Sequence, residues 1–235
     1  MIDPIKRDGS AGTEQLDLQL TKQLAEKKAT SVQRIPADKL EVMLQSTNEL
    51  KEQSLSSQAI QTGTVLPDFE LPNATGNKTA LADFSQDYLV VSFYRGGWCP
   101  YCNLELKALQ GVLPQLESLN TGLVAISPET PDHSLSTSEK NELSFSVLSD
   151  RDNQYAKSLG LVFRLPKTLQ EVYDGFNLKL SDHNGNQDYE LPMPATFIVN
   201  KNRAVIYRFV PEDYTERLDP EIILDVLKKE LAVSQ

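Results

Sequence analysis

A run of apolar and aromatic side chains over residues 88–94 constrains the fold more than any other part of this sequence. Because the run lacks a regular alternation of polar and apolar residues, it predicts a strand that is buried on both faces. Residues 95–98 then predict a turn, and Pro100 is suited to the first position of a helix. A second buried strand is predicted over residues 123–127. Together these elements predict a right-handed βαβ unit in an α/β domain.

Short β-branched and aromatic runs alternate with helical stretches from Gly63 onward, as they do in α/β domains. Pro114 is expected to kink or end the helix that begins at Pro100. Residues 128–138 predict a polar loop, and residues 165–190 predict a long surface excursion with turn residues. The other predicted elements are a strand over 145–148, a helix from Asn153, a hairpin of strands over 196–200 and 204–209, and a helix over 220–231.

The N-terminal part of the chain has a different composition. Leucines at helical spacing before and after Pro36 predict two amphipathic helices, which have too few aromatic or β-branched residues to build a core of their own. We therefore expect these helices to pack on the downstream domain or on a second subunit. The predicted organisation is a leader or tag over 1–12, a helical extension over 13–62 and an α/β domain over 63–235.

The charge balance excludes several classes of partner. The chain has 33 acidic and 23 basic side chains and a net charge of −10, which repels phosphate backbones and anionic lipid headgroups. No segment reaches the roughly 18 apolar residues of a membrane-spanning helix. The first thirty residues also lack the apolar segment of a secretory signal. We therefore predict a cytoplasmic protein that binds neither nucleic acid nor membranes.

Cys99 and Cys102 are the only two cysteines of the chain, and both lie where the predicted strand passes into the helix. The free N–H groups and the dipole at a helix N-terminus stabilise an anion, so we expect the pKa of Cys99 to be lowered. Cys102 lies one turn further along, on the same side of the helix. The pair is therefore close enough to form a disulfide without a change of fold.

Three structural interpretations of the cysteine pair compete with a redox role. A zinc site needs two further ligands, and the only histidines, His133 and His183, are predicted to be isolated in polar loops. A structural disulfide across so short a loop constrains the unfolded chain little. Two buried and inert thiols are the third alternative, but Gly96 and Gly97 before Cys99 and Pro100 after it favour an exposed turn. We therefore predict redox chemistry at the cysteine pair rather than a zinc site.

A second segment of interest, Met193-Pro194, directly precedes a predicted strand. Pro194 has no N–H to donate to a neighbouring strand, so we expect it at the beginning of its own strand. A cis bond between Met193 and Pro194 would bring this backbone close to the cysteine pair. The alternative is an ordinary proline at the entry to a strand.

The sequence around the cysteines resembles the peroxiredoxin-like branch of the alkyl hydroperoxide reductase and thiol-specific antioxidant family. The resemblance spans roughly residues 63–231. It implies a thioredoxin-like fold, with a central mixed sheet flanked by helices, and an enzyme that reduces peroxides with a cysteine at the first helix. The segments that carry the resemblance are FYRGGWCPYCNLEL over 93–106, AISP over 125–128, PATFIV over 194–199, PDFELP over 67–72 and LSTSEK over 135–140.

The resemblance also implies roles for the two cysteines. Cys99 matches the peroxidatic cysteine, whose thiolate attacks the O–O bond of a peroxide and becomes a sulfenic acid. Cys102 then condenses with it to an intramolecular disulfide, which an external dithiol such as thioredoxin, or the glutathione system, reduces. The resemblance therefore implies a reaction that needs no flavin, haem, metal or other cofactor. The residues that we expect to contact substrate or partner are Arg95, Gly96, Gly97, Trp98, Pro100, Met193 and Pro194.

Two positions depart from the standard peroxiredoxin pattern. Gly96 stands where the family has a threonine or serine hydroxyl, and Pro194 stands where it has an active-site arginine. We expect Arg95 to supply the missing positive charge, because it is close to Cys99 in sequence. The alternative for Arg95 is a solvated charge in a loop.

Two other functions use the same sulfur atoms. Cys-Pro-Tyr-Cys also resembles glutaredoxin active sites, which favours a thiol–disulfide oxidoreductase that acts on protein or glutathione disulfides. A non-catalytic redox sensor, with the N-terminal helices as its partner surface, is a third alternative. The apolar stripe on these helices also indicates a homodimer. A thiol peroxidase is the function that the whole-chain resemblance favours.

Overall fold

Residues 19–233 are described by the computed structural model, and within them the chain forms nine β-strands and eight α-helices. The strands are β1 (Glu70–Pro72), β2 (Lys78–Ala80), β3 (Tyr88–Phe93), β4 (Thr121–Ser127), β5 (Ser146–Ser149), β6 (Val162–Arg164), β7 (Glu190–Pro192), β8 (Ala195–Asn200) and β9 (Val205–Phe209). The helices are α1 (Gln19–Arg34), α2 (Ala37–Gln53), α3 (Pro100–Ser118), α4 (Pro131–Lys140), α5 (Gln154–Ser158), α6 (Lys167–Gly175), α7 (Leu180–Asn184) and α8 (Pro220–Val233). None of these helices is long and apolar enough to cross a membrane. The leader or tag predicted over residues 1–12 lies outside the described part of the chain.

β3 is the central strand of a five-stranded sheet with the order β5-β4-β3-β8-β9. β3, β4 and β5 are parallel, β8 runs antiparallel to β3, and β9 runs antiparallel to β8. All six residues of β3 are buried, which confirms the predicted burial of this strand on both faces. The helix α3 connects β3 to β4, as the predicted βαβ unit requires.

Two hydrophobic cores cover the two faces of this sheet. On one face, Val90 belongs to a cluster with Leu106 of α3 and Ile223 of α8. On the other face, Val91 belongs to a cluster with Phe197 of β8. Both cysteines lie in the first of these cores. The packing that fixes α3 on the sheet therefore also fixes the position of the residues at its N-terminus.

The two N-terminal helices pack on the downstream part of the same chain. Leu20 and Leu24 of α1 are buried in the core that contains α3. Thr21 donates two hydrogen bonds to one carboxylate oxygen of Asp219, from its backbone N–H at 2.9 Å and from its hydroxyl at 3.1 Å. The second helix, α2, lies against α6, where Met43 packs on a third apolar cluster. The predicted packing of these helices on the downstream domain is confirmed.

The polar loop predicted over residues 128–138 is wrong, because most of this segment is the helix α4. Pro131 is the first residue of the helix, and Ser134 and Thr137 form its buried side. The hydroxyls of Ser134 and Ser149 share a hydrogen bond of 2.9 Å, which attaches the helix to β5. A helix that packs through small polar groups has no apolar period, and therefore its sequence resembles that of a loop.

Pro114 does not end α3, which continues to Ser118. A proline inside a helix removes one backbone hydrogen bond and clashes with the preceding turn. Leu113 and Leu116, on either side of it, are buried against the sheet. The burial of these side chains outweighs the local cost of the proline, and the helix stays continuous in this packing environment.

Residues 165–190 are an ordered part of the fold, which corrects the prediction of a surface excursion. The segment contains α6 and α7 and ends where β7 begins. Leu165, Leu169 and Leu180 are buried together in the third cluster, on which α2 also packs. The turn residues that indicated a loop connect these short elements instead.

Leu20→Ala is expected to lower the free energy of unfolding by about 2–5 kcal/mol, because it leaves a cavity at a position that is 1% exposed. Val32→Ala is the matched control: Val32 lies on the same helix but is 51% exposed, so its loss should stay below about 0.5 kcal/mol. Urea unfolding of the full chain, followed by circular dichroism, measures both. Equal effects of the two substitutions would contradict the docking of α1.

Candidate active site

The two cysteines lie one turn apart at the N-terminus of α3. Cys99 is the N-cap residue, and its N–H donates a hydrogen bond to the carbonyl of Gly96 at 3.1 Å. The Nδ2 of Asn103 donates to the carbonyls of Gly97 at 2.8 Å and Cys99 at 3.1 Å, which fixes the turn. Both cysteines are free thiols. The predicted placement of the pair, between a buried strand and a helix, is confirmed.

The two glycines before Cys99 are required by the shape of the loop. Gly96 has a φ of +146°, and a Cβ atom there would clash with the indole ring of Trp98. A Cβ atom on Gly97 would clash with the side chain of Thr137. A serine or threonine therefore does not fit at position 96 in this backbone. The first departure from the peroxiredoxin pattern follows from this loop geometry.

Both thiols are buried: Cys99 is 1% exposed and Cys102 is 0% exposed. The exposed turn expected from the glycines and Pro100 therefore does not expose the thiols, although Gly97 and Trp98 are half-buried and Pro100 is exposed. Distant aromatic residues contribute to the cover of the loop, since Trp98 packs edge-on against Tyr173 at a centroid distance of 5.8 Å. The sequence near the cysteines could not predict this burial, because Tyr173 is distant from them in the chain.

Arg95 is a buried charge beside the cysteines, and the alternative of a solvated loop charge is wrong. The residue is 2% exposed, and its guanidinium donates a hydrogen bond to the hydroxyl of Tyr173. The guanidinium carbon lies 5.0 Å from the ring centroid of Trp98 and 4.5 Å from that of Tyr214, distances typical of cation–π contacts. These contacts hold a positive charge in a fixed position close to Cys99.

A second buried arginine, Arg217, was not identified from the sequence. Its Nη2 donates a hydrogen bond to the Sγ of Cys102 at 3.2 Å, and its Nε donates to the carboxylate of Glu105 at 2.6 Å. Burial raises the pKa of Glu105 to about 7, although the charge of Arg217 opposes this change. Glu105 could have been identified from the sequence, because it is a carboxylate on the apolar side of α3, three residues after Cys102. Arg217 lies outside every motif in the sequence.

The pKa values of the two thiols are shifted in opposite directions. Burial raises the pKa of Cys99, but the hydrogen bond from Cys102 and the charges of Arg95 and Arg217 outweigh this effect and lower the pKa to about 5. Burial and the adjacent Cys99 raise the pKa of Cys102 well above its ordinary value. At neutral pH the site therefore holds one thiolate, which is nucleophilic, next to one thiol that keeps its proton.

A cleft of about 500 Å³ leads to Cys99. Its walls come from the loop before α3, from α6 and the residues after it, and from the N-terminal segment, where Ile35 lies between α1 and α2 and Met43 belongs to α2. The lining is mostly apolar, and Lys27 and Arg34 of α1 add positive charge. Four of the residues predicted to form the site line this cleft: Arg95, Trp98, Cys99 and Pro100.

The Met193-Pro194 segment does not line the cleft. Pro194 lines a small separate cavity that also touches Arg95 and Tyr173. Met193 is buried in the core on the opposite face of the sheet, so its predicted contact with substrate or partner is not supported. All peptide bonds within residues 19–233 are trans, so of the two alternatives left open for Pro194, the structure has the ordinary proline at the entry to a strand.

A polar cluster beside the loop contains both histidines of the chain. Glu129 accepts hydrogen bonds from the N–H of Gly97 at 2.9 Å and from the hydroxyl of Thr137 at 3.3 Å. The Nδ1 of His183 lies 3.1 Å from the other carboxylate oxygen of Glu129, and the ring centroids of His133 and His183 are 4.4 Å apart. The expectation that the histidines are isolated is wrong, because α4 and α7 bring them together.

Comparison with known sequences places these features in one family. The model of the AhpC/TSA family matches residues 62–208, a region that begins after α2 and contains both cysteines. Among characterised sequences, peroxiredoxin Bcp from Escherichia coli K12 is 28% identical over 118 residues, which is 50% of this chain and 75% of that protein.

Two solved structures have a similar fold. Peroxidoxin BcpB from Mycobacterium tuberculosis superposes with a TM-score of 0.58 at 21% identity and covers 72% of this chain and 97% of its own. A cysteine-to-serine mutant of PrxQ from Xylella fastidiosa has a TM-score of 0.57 at 17% identity and covers 75% of this chain and 98% of its own. These similarities confirm the predicted thioredoxin-like α/β fold.

Replacement of Arg95 should move the pKa of Cys99 upward from about 5, because the substitution removes one of the positive charges that stabilise the thiolate. Arg95→Met keeps most of the side-chain volume, whereas Arg95→Lys keeps the charge. We expect the midpoint to rise in Arg95→Met and to rise less in Arg95→Lys.

The pH dependence of Cys99 alkylation by iodoacetamide, followed by peptide mass spectrometry, gives the midpoint. Alkylation is slow below the midpoint, where the thiol is protonated, and fast above it. Identical midpoints in wild type and both variants would show that Arg95 does not stabilise the thiolate.

Proposed function

Because the chain belongs to the AhpC/TSA family, we propose that it is a thiol peroxidase that reduces hydrogen peroxide or organic hydroperoxides through Cys99. The observation that carries the proposal is a buried cysteine with a lowered pKa, placed between two buried arginines at the end of an apolar cleft. The arrangement provides a nucleophile, a fixed positive charge and an entry path for a small substrate.

The first step is the attack of the Cys99 thiolate on one oxygen of the peroxide. The S–O bond forms as the O–O bond breaks, and the second oxygen leaves as hydroxide or alkoxide and takes up a proton. In this proposal, the Arg95 guanidinium stabilises the negative charge that develops on the leaving oxygen. Its Nε is buried and has no hydrogen-bond partner among the described residues, which supports a role as a donor in the reaction.

The second step uses Cys102. Its thiol condenses with the sulfenic acid on Cys99, so that a disulfide forms and one water molecule leaves. The two residues are one helical turn apart and share the same core, so the step needs little rearrangement. Arg217 at 3.2 Å from the Cys102 sulfur stabilises that sulfur as a leaving thiolate when the disulfide is opened again.

An external dithiol completes the cycle by thiol–disulfide exchange, in which the reductant is oxidised and both cysteines return to their reduced form. A reductant of the thioredoxin type or the glutathione system is consistent with the cleft, which reaches Cys99 but not Cys102. The attacking thiolate therefore meets Cys99 first. The homodimer and the cytoplasmic location remain predictions from the sequence.

A buried positive charge beside Cys99 distinguishes this proposal from disulfide exchange as the main activity. Both activities need access to Cys99, but peroxide reduction also needs a group that activates the leaving oxygen. Arg95, which is 2% exposed and acts on the Cys99 thiolate, supplies such a group. A redox sensor is distinguished by turnover, since it is oxidised once and does not consume many equivalents of peroxide.

The fluorescence of Trp98, the only tryptophan and the neighbour of Cys99, should report the first step in a stopped-flow experiment. We expect the pre-reduced protein to react with hydrogen peroxide or an alkyl hydroperoxide at a second-order rate orders of magnitude above that of free cysteine. Cys99→Ser should abolish the signal. A rate near that of free cysteine, despite a low thiolate pKa, would exclude peroxidase as the function and favour disulfide exchange.

Cys102→Ser should separate the two steps. Because the variant keeps the Cys99 thiol, we expect it to consume about one equivalent of peroxide and to stop at the sulfenic acid, which adds one oxygen to the intact mass. With a dithiol reductant present, wild type should turn over continuously, whereas the variant should turn over much more slowly, because its sulfenic acid has no second cysteine in the chain to condense with. Turnover of Cys102→Ser at the wild-type rate would contradict the resolving role.

Arg95→Met should also reduce the rate of peroxide reduction after correction for the thiolate fraction at each pH. Removal of a donor that stabilises charge in a transition state costs roughly 10²–10³-fold in other enzymes. We expect a loss of at least about tenfold for Arg95→Met and a smaller loss for Arg95→Lys, which keeps the charge. If the corrected rates are equal, Arg95 acts only on the pKa of Cys99.

A further inference from the structure

We propose that Glu129, His133 and His183 form a binding site for a divalent first-row transition metal, with Zn²⁺ as the best match. The site lies beside the loop that precedes Cys99 but shares no ligand with the cysteine pair. The inference is independent of the peroxidase proposal, because it rests on three side chains that the reaction does not use.

The first argument is the convergence of the histidines. They are the only two in the chain and are fifty positions apart, yet α4 and α7 place their rings with centroids 4.4 Å apart. One ligand atom from each histidine and one from Glu129 lie within 4.8 Å of one another. Donor atoms around a tetrahedral zinc ion are roughly 3.3–3.6 Å apart. The three ligand atoms therefore need to approach one another by little more than about 1 Å to bind the ion.

The second argument is the fixed orientation of Glu129. Its side chain is 1% exposed, and one carboxylate oxygen accepts hydrogen bonds from the Gly97 N–H and the Thr137 hydroxyl. The other oxygen is thereby directed at His183, whose Nδ1 is 3.1 Å away. In metal sites, hydrogen bonds of this kind commonly hold the carboxylate oxygen that does not bind the ion and so orient the oxygen that does.

The third argument is charge. A buried carboxylate is costly unless a positive charge compensates it. Within the described part of the chain, His183 is the only basic side chain at ion-pair distance from Glu129. A divalent cation held between the carboxylate and two imidazoles supplies this compensation more completely than one hydrogen-bonded imidazole does.

The ligand set indicates which metal fits. Two imidazoles and one carboxylate suit zinc and its neighbours, whereas calcium and magnesium prefer oxygen ligands alone. Three protein ligands leave a fourth position for water or another small ligand. The His183 side chain is 24% exposed, which gives an ion a path from solvent.

The test must separate this site from the cysteines, since two thiolates also bind zinc. In a Cys99→Ser/Cys102→Ser variant of the full chain, we expect one Zn²⁺ per chain by calorimetry, with a dissociation constant in the micromolar range or tighter. Co²⁺ should give visible absorption bands of a nitrogen- and oxygen-ligated ion. In the same background, His183→Asn and His133→Asn should each weaken zinc binding by about tenfold or more.

Glu139→Gln is the matched control, because it removes an exposed carboxylate from α4 outside the cluster. It should leave zinc affinity unchanged. Thermal unfolding provides a second readout: zinc should raise the Tm of the cysteine-free parent and of Glu139→Gln, but not that of either histidine variant. If His183→Asn does not fold, His133→Asn provides the comparison. Binding only at millimolar zinc, or full affinity in both histidine variants, would overturn the proposal.

Discussion

Buried charge around the two sulfur atoms is the constraint on which the rest of the site depends. Arg95 and Arg217 are 2% and 6% exposed, and a guanidinium keeps its charge at any pH that a folded protein meets. Two such cations in a core require anions nearby, and these are the Cys99 thiolate and the carboxylate of Glu105. The reactive thiolate is therefore also a structural counter-ion, and its low pKa helps to stabilise the fold around it.

The cover over these charges comes from parts of the chain that are far apart in sequence. The match to the AhpC/TSA family begins at residue 62, yet Ile35 and Met43 form part of the cleft that leads to Cys99. The N-terminal helices thus contribute to the environment of a reaction centre whose chemistry lies in the family domain. Substrate size and polarity at the cleft are set in part by a segment outside the family match.

The sequence was sufficient where function depends on local spacing. The apolar run over residues 88–94 predicted the central strand, and the cysteines after it predicted the site at the start of α3. Contacts between distant segments were not predictable in this way. Arg217 donates a hydrogen bond to Cys102, which lies 115 positions earlier in the chain, and no local sequence pattern predicts this contact.

Tertiary packing also gave several segments a structure that differs from the one predicted by their local sequence. Apolar period was absent from α4 because its buried side consists of Ser134 and Thr137, and Pro114 stayed helical because its neighbours are buried. The sequence predicted isolated histidines, because only the fold brings α4 and α7 together. At Gly96 the structure explains what the sequence showed: the backbone conformation leaves no room for the threonine or serine that the peroxiredoxin pattern has at this position.

Glu105 links the oxidation state of the cysteines to proton binding. Burial raises its pKa to about 7. Disulfide formation removes the Cys99 thiolate but leaves both arginines, so it favours the ionised carboxylate. The carboxyl group therefore releases a proton as the disulfide forms and takes one up as the disulfide is reduced. Near neutral pH, the midpoint potential of the pair should consequently change more steeply with pH than that of an isolated dithiol.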